Sequence, residues 1–199
     1  MLGWLAARSG FAAPARGIRT AAVLFVAVLT AAASQLSLPL PFTPIPLTVQ
    51  PMVVLLGGAV LGARAGAVSQ LLYLALGLAG LPVFAASPLL PQGAARLLGP
   101  TGGYLMAYPA AAFVAGWLAQ RGLDRRYLTA VLAMLAGLAV IYASGTLWLA
   151  FVLSPSNPAQ ALAPAIRGGV FPFVLADTLK LLFAAGVMPL AWRLLAPRG

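Results

Sequence analysis

Between Phe171 and Ala185 runs an apolar stretch that contains the only lysine of the chain, Lys180, and one of its two acidic residues, Asp177. A segment this apolar is long enough to cross a membrane as part of a helix, and an ionisable group at that depth needs a partner. Three positions apart, the two side chains fall roughly 60° from each other on one helical face. They either neutralise each other as a structural ion pair or form the polar floor of a ligand pocket. The second reading is favoured because the rest of the chain supplies polar companions.

Of the 199 residues, 62% are hydrophobic and only 7% charged. A soluble domain of this length has too much surface to hide so many apolar side chains, so the chain reads as an integral membrane protein in a lipid bilayer. One compact transmembrane domain over residues 1–199 is enough. The apolar runs do not alternate as barrel strands would, which makes the fold class all-α. The formal charge of +10 is scattered over short loops rather than gathered into a patch, so no nucleic-acid partner is expected. Without Cys or His, and with two separated carboxylates, disulfides, thiol chemistry and a dedicated metal site are all unexpected. No cofactor and no catalytic residue are expected either.

The sequence predicts six transmembrane helices. A basic, cytoplasmic N-terminal segment over residues 1–19 precedes a six-helix bundle over 20–195. The first helix covers about Thr20 to Leu38. A small-residue stretch, Ala31 to Ser34, resembles a signal-peptide cleavage site, but the apolar run continues past it and the helix is expected to be retained. Pro39, Pro41, Pro44 and Pro46 make a stiff loop. A second apolar run, opened by Thr48 and Gln50 and ending near Leu61, is short for a span and leaves a re-entrant segment open. Gly58, Gly62 and Gly66 allow a tight turn or close helix contact. The remaining helices are expected at about Gly66 to Leu81, Tyr104 to Ala119 (kinked at Pro109), Tyr127 to Leu153 and Val170 to Leu195. Long connections separate some of them, notably 82–103 and 154–169.

The arginines test this arrangement. Arg8, Arg16, Arg19, Arg64, Arg121, Arg125, Arg126, Arg193 and Arg198 fall at the termini and even-numbered loops, whereas Arg96 and Arg167 fall on the opposite side. The positive-inside rule then puts both termini in the cytoplasm. The two outer arginines share their side with Asp177, Lys180, Thr43, Gln50 and Tyr104. Cations, one carboxylate, an amide and hydroxyls among apolar walls are the usual make-up of a small-ligand site. Such a pocket suits an elongated molecule with a carboxylate at one end and neutral hydrogen-bonding groups at the other. The glycine-rich 99–103 segment lacks the lysine of a phosphate-binding loop and reads as a flexible outer loop.

Four motifs occur in order: Pro44-Ile45-Pro46-Leu47-Thr48-Val49-Gln50, Gln70-Leu71-Leu72-Tyr73-Leu74-Ala75-Leu76-Gly77, Gly80-Leu81-Pro82-Val83-Phe84-Ala85, and Leu98-Gly99-Pro100-Thr101-Gly102-Gly103-Tyr104-Leu105. With Asp177-x-x-Lys180 on the last helix, they resemble the BioY family, the biotin-binding substrate components of energy-coupling-factor (ECF) transporters. The resemblance covers about Thr20 to Ala185. It implies a six-helix bundle that binds biotin at its outer face. Asp177 would meet the ureido ring, and Lys180, Arg96 and Tyr104 would hold the valerate end. Thr43, Gln50 and Phe84 would line the pocket. The family's small-residue docking patch for a transmembrane coupling protein would correspond to Ala27 and Ala31, with two ATPase subunits completing the module. The sequence departs from the family where Ala86, Ser87 and Pro88 replace a usual Gly or Asn, in a proline-richer loop; Ser87 is the polar contact that loop offers. Ala176 stands where Gly is common.

The expected function is therefore biotin capture at the extracellular face of a prokaryotic plasma membrane, without enzymatic activity. A solitary carrier for biotin or another small carboxylate vitamin is the alternative. A membrane enzyme using Asp177 as base is disfavoured, because no second carboxylate or histidine converges on it.

Overall fold

The computed structural model of the protein describes residues 15–87 and 91–195. The described residues form nine helices and one short hairpin: α1 (Ala15–Gln35), β1 (Ser37–Leu38), β2 (Leu47–Thr48), α2 (Gln50–Leu61), α3 (Ala63–Leu78), α4 (Ala94–Leu98), α5 (Gly102–Met106), α6 (Tyr108–Leu118), α7 (Tyr127–Leu153), α8 (Pro158–Gly169) and α9 (Phe171–Leu195). A π-helical turn, Ala119–Leu123, follows α6. The fold is all-α apart from the hairpin, whose strands pair antiparallel with Ser37 opposite Thr48 and Leu38 opposite Leu47. The stiff proline segment is the loop of that hairpin.

Helices α1, α7 and α9 are long and apolar enough to cross a bilayer. Their outward faces carry exposed Phe25 and Val28, Leu132, and Leu175, Leu179 and Phe183. A surface of this kind belongs against hydrocarbon, not water. Helix α2, with 12 residues, extends only ~18 Å at 1.5 Å per residue, well short of a ~30 Å hydrocarbon core.

The core forms where small residues let helices approach. Ala111, Ala112 and Ala115 of α6 are fully buried, and Gly58 of α2 meets α6 backbone to backbone: a methyl at Gly58 would lie 2.8 Å from Ala112 Cα. Gly62, at φ +82°, makes the turn from α2 to α3, a conformation other residues avoid. The side chain of Gln120 accepts the Ala63 N–H at 3.4 Å, tying this turn to the end of α6. At the same end of the bundle the buried Asp124 accepts a hydrogen bond from Trp192 Nε1 at 2.7 Å. Arg121 stacks on Trp117, 3.4 Å from the ring centroid.

Five expectations are revised. Helix α1 begins at Ala15 and ends at Gln35, so 15–19 is helical, while Ser37 and Leu38 enter the hairpin. Helix α3 occupies Ala63–Leu78 and stops at Ala79 and Gly80, before Pro82. The helix expected from Tyr104 to Ala119 is two pieces, broken at Ala107, because Pro109 opens a new helix at its first turn. The 82–103 connection contains α4, and the 154–169 connection is largely α8. Among the described residues, the prolines and glycines that make both read as loops lie at or near helix ends, except Pro164 inside α8. Residues 1–14, with Arg8, and Arg198 lie outside the described residues.

Candidate functional site

The hairpin, the α4–α5 segment and the N-terminal parts of α2 and α9 meet at one end of the bundle. Two adjoining cavities lie there, of about 350 and 380 Å³ including space open to solvent. Ile45, Pro46, Thr48, Tyr104 and Tyr108 line both, so the two are ends of one cleft. Its size suits a small organic ligand.

One end is anionic. Asp177 is 6% exposed on α9. Its Oδ1 lies 2.6 Å from Lys180 Nζ, and its Oδ2 accepts a hydrogen bond of 2.7 Å from the Tyr142 hydroxyl on α7. Lys180 also donates to the Thr48 carbonyl at 2.7 Å. The carboxylate is thus charge-compensated and oriented, yet a carboxylate offers about four acceptor positions, and two remain for donors of a ligand.

The other end is cationic. Arg96, on α4, is 1% exposed and lines the cavity. Its Nη2 donates to the Ala85 carbonyl, and its Nε has no partner among the described residues. A guanidinium is not deprotonated in proteins, so this end carries a positive charge. Gln50 donates from Nε2 to the Tyr73 hydroxyl at 2.7 Å. The Tyr73 ring stands edge-on to Phe84 and stacks on Tyr108, giving this end an aromatic wall.

The structure therefore gathers Asp177, Arg96, Tyr104, Gln50 and Phe84 around one cleft. Lys180 lines neither cavity and sits on Asp177, because a three-residue helical step brings the two into direct contact. Thr43 lines neither cavity: its hydroxyl donates to the Gly168 carbonyl at 2.7 Å and accepts the Ile45 N–H at 3.2 Å. Ser87 is half-buried and also lines neither. Arg167 is exposed on α8. Ala27 is fully buried in the core, on the side of α1 that turns inward. Ala31 is partly buried against the same core.

Sequence reasoning missed Tyr142, Tyr108 and Thr101. Tyr142 left one signal, a polar tip in the middle of an otherwise apolar helix.

Fold and cleft together define a multi-pass membrane protein with a cleft that has a buried arginine at one end and a buried, lysine-paired carboxylate at the other. The BioY family profile matches residues 8–197. The chain belongs to the BioY family. It is 44% identical over 157 residues to the probable biotin transporter BioY of Pyrococcus horikoshii, covering 79% of this chain and 85% of that one. It is 38% identical over 146 residues to the biotin transporter BioY of Thermotoga maritima, covering 73% and 80%. Among solved structures it matches the S-component for biotin from an ECF-type ABC transporter, with a TM-score of 0.75, 24% identity, and coverage of 89% and 92%.

Proposed function

We propose that this protein is the membrane-embedded biotin-binding component of an ECF-type transporter. It captures biotin and hands it to an energising module of a transmembrane coupling protein and two ATPase subunits. It is a transport component, not an enzyme. The observation that carries the reading is the cleft, with a buried arginine at one end and an oriented carboxylate at the other, in a chain of the BioY family. Biotin has matching ends. Its carboxylate goes to Arg96, and its ureido N–H groups go to the free positions of Asp177. Gln50 and Phe84 line the arginine end, and Tyr104 lines the length between. Lys180 compensates the charge of Asp177 and fixes its orientation.

The six-helix bundle over 20–195, within a single domain over 1–199, crosses the plasma membrane six times with both termini in the cytoplasm, which the arginine distribution supports. The short α2 and the α5–α6 pair complete crossings begun by the hairpin and the α4 segment. Docking of the coupling protein uses a small-residue surface of α1 other than the buried Ala27. Equilibrium titration of the purified protein with labelled biotin tests the reading: saturable binding displaced by unlabelled biotin is expected. Absence of saturable binding by monodisperse protein would refute it.

A further inference from the structure

Thr101 occupies the position just before α5, where a threonine hydroxyl ordinarily accepts a backbone N–H of the first helical turn. It makes no such bond here. The residue is 6% exposed, its Oγ1 has no partner among the described residues, and it lines the same end of the cleft as Arg96. A buried hydroxyl left unpaired is destabilising, so its presence calls for an explanation. Arg96 Nε is unpaired in the same place.

The segment carrying Thr101 is held from both sides. Trp148 Nε1 donates to the Gly99 carbonyl at 2.9 Å, and Ser144 donates to the Gly103 carbonyl at 3.0 Å. Both anchors come from α7, so the hydroxyl is fixed relative to the bundle before any ligand arrives. Two residues with unpaired polar groups, one of them a cation, line a cavity otherwise walled here by Phe84, Ala85 and Leu105. Donors of this kind suit an anionic oxygen pair. A carboxylate that accepts the Nε–H of Arg96 on one oxygen keeps lone pairs for a hydroxyl donor.

We propose that Thr101 is a second carboxylate-binding residue: its hydroxyl donates to the carboxylate of the ligand that Arg96 neutralises. This rests on the biotin reading above and adds the residue that distinguishes the free acid from its neutral derivatives. A hydroxyl is neutral and cannot replace the arginine, but its hydrogen bond to a carboxylate oxygen is charge-assisted and stronger than one to the carbonyl of a neutral amide.

The test titrates purified wild type, Thr101→Val, Thr101→Ser and Thr101→Ala with biotin and with biotin amide. Valine keeps the shape and removes the hydroxyl. It should lower affinity for biotin about tenfold or more. Serine should restore most of the loss, and alanine, as a second hydroxyl-free variant, should match valine. The amide, already weak in the wild type, should lose clearly less than biotin in the valine and alanine variants, because its carbonyl accepts only a neutral hydrogen bond. Unchanged biotin affinity in the valine and alanine variants would overturn the inference, as would equal losses for acid and amide, which mark a packing role. In either case biotin binding by the wild type would leave the broader reading standing. No binding by the wild type would overturn both.

Discussion

Tyr142 on α7 donates its hydroxyl to Asp177 Oδ2 on α9 at 2.7 Å, while Lys180 holds the other oxygen at 2.6 Å. The carboxylate is fixed by a neutral donor on one side and a cation on the other. Removing the acid and removing its support should therefore differ in size. Asp177→Asn takes away the charge that the ureido donors meet, and should weaken biotin binding roughly tenfold to a hundredfold. Tyr142→Phe removes only an orienting bond worth about 1 kcal/mol, so roughly fivefold is expected. Titration of both variants checks this; Tyr142→Phe weaker than Asp177→Asn would contradict the ordering.

Arg96 lines one end of the cleft and Lys180 is paired with Asp177, which lines the other, and this makes them separable. Biotin amide should bind the wild type more weakly than biotin. That difference should largely vanish in Arg96→Gln, since the cation the amide fails to satisfy is gone. Lys180→Met should weaken both ligands and preserve the difference. The reverse pattern, with the difference lost only in the lysine variant, would place the carboxylate beside Lys180.

Close packing at Gly58 sets a stability prediction. Alanine is ordinarily the better helix former by about 0.5–1 kcal/mol. At Gly58 its methyl would press on the backbone of α6, 2.8 Å from Ala112 Cα, and backbone cannot step aside as a side chain can. Overpacking of about 1–3 kcal/mol should win, so Gly58→Ala should lower the melting temperature in detergent. Gly186→Ala is the control, because its new methyl would meet only a ring carbon of Tyr127 at 3.9 Å. It should be neutral or stabilising. Equal behaviour of the two would contradict the packing account.

Orientation can be read chemically, because the chain has no cysteine. Gln160 on α8 and Arg126 before α7 are both exposed and lie at opposite ends of the bundle. In intact cells an impermeant thiol reagent should label Gln160→Cys and leave Arg126→Cys unlabelled until the membrane is opened. The opposite result would invert the topology.

How much was legible in the sequence depends on where the signal lay. Helix α7 was read at both bounds, because an unbroken apolar run stands between Arg126 and Ser154-Pro155. Asp177 and Lys180 announced themselves, since a charge in an apolar run has few uses. Helices α4 and α8 were hidden by flanking prolines and glycines and by Pro164, which sits within a helix it would usually break. Tyr142 and Thr101 carry no charge, and only the packing of α7 and α5 brings their hydroxyls to the cleft. In the alanine-rich α1, neighbours on α2 and α3, not the sequence of α1, decide that the side with Ala27 turns inward.

The central claim is capture without self-powered transport, and purified protein in liposomes tests it most directly. The described residues hold two carboxylates, Asp124 and Asp177, and they lie at opposite ends of the bundle, too few for a proton relay across it. Labelled biotin should bind saturably to the proteoliposomes and be displaced by unlabelled biotin. It should not accumulate inside above the outside concentration, with or without an imposed ion gradient. Accumulation driven by the protein alone would contradict the account and make it a solitary carrier.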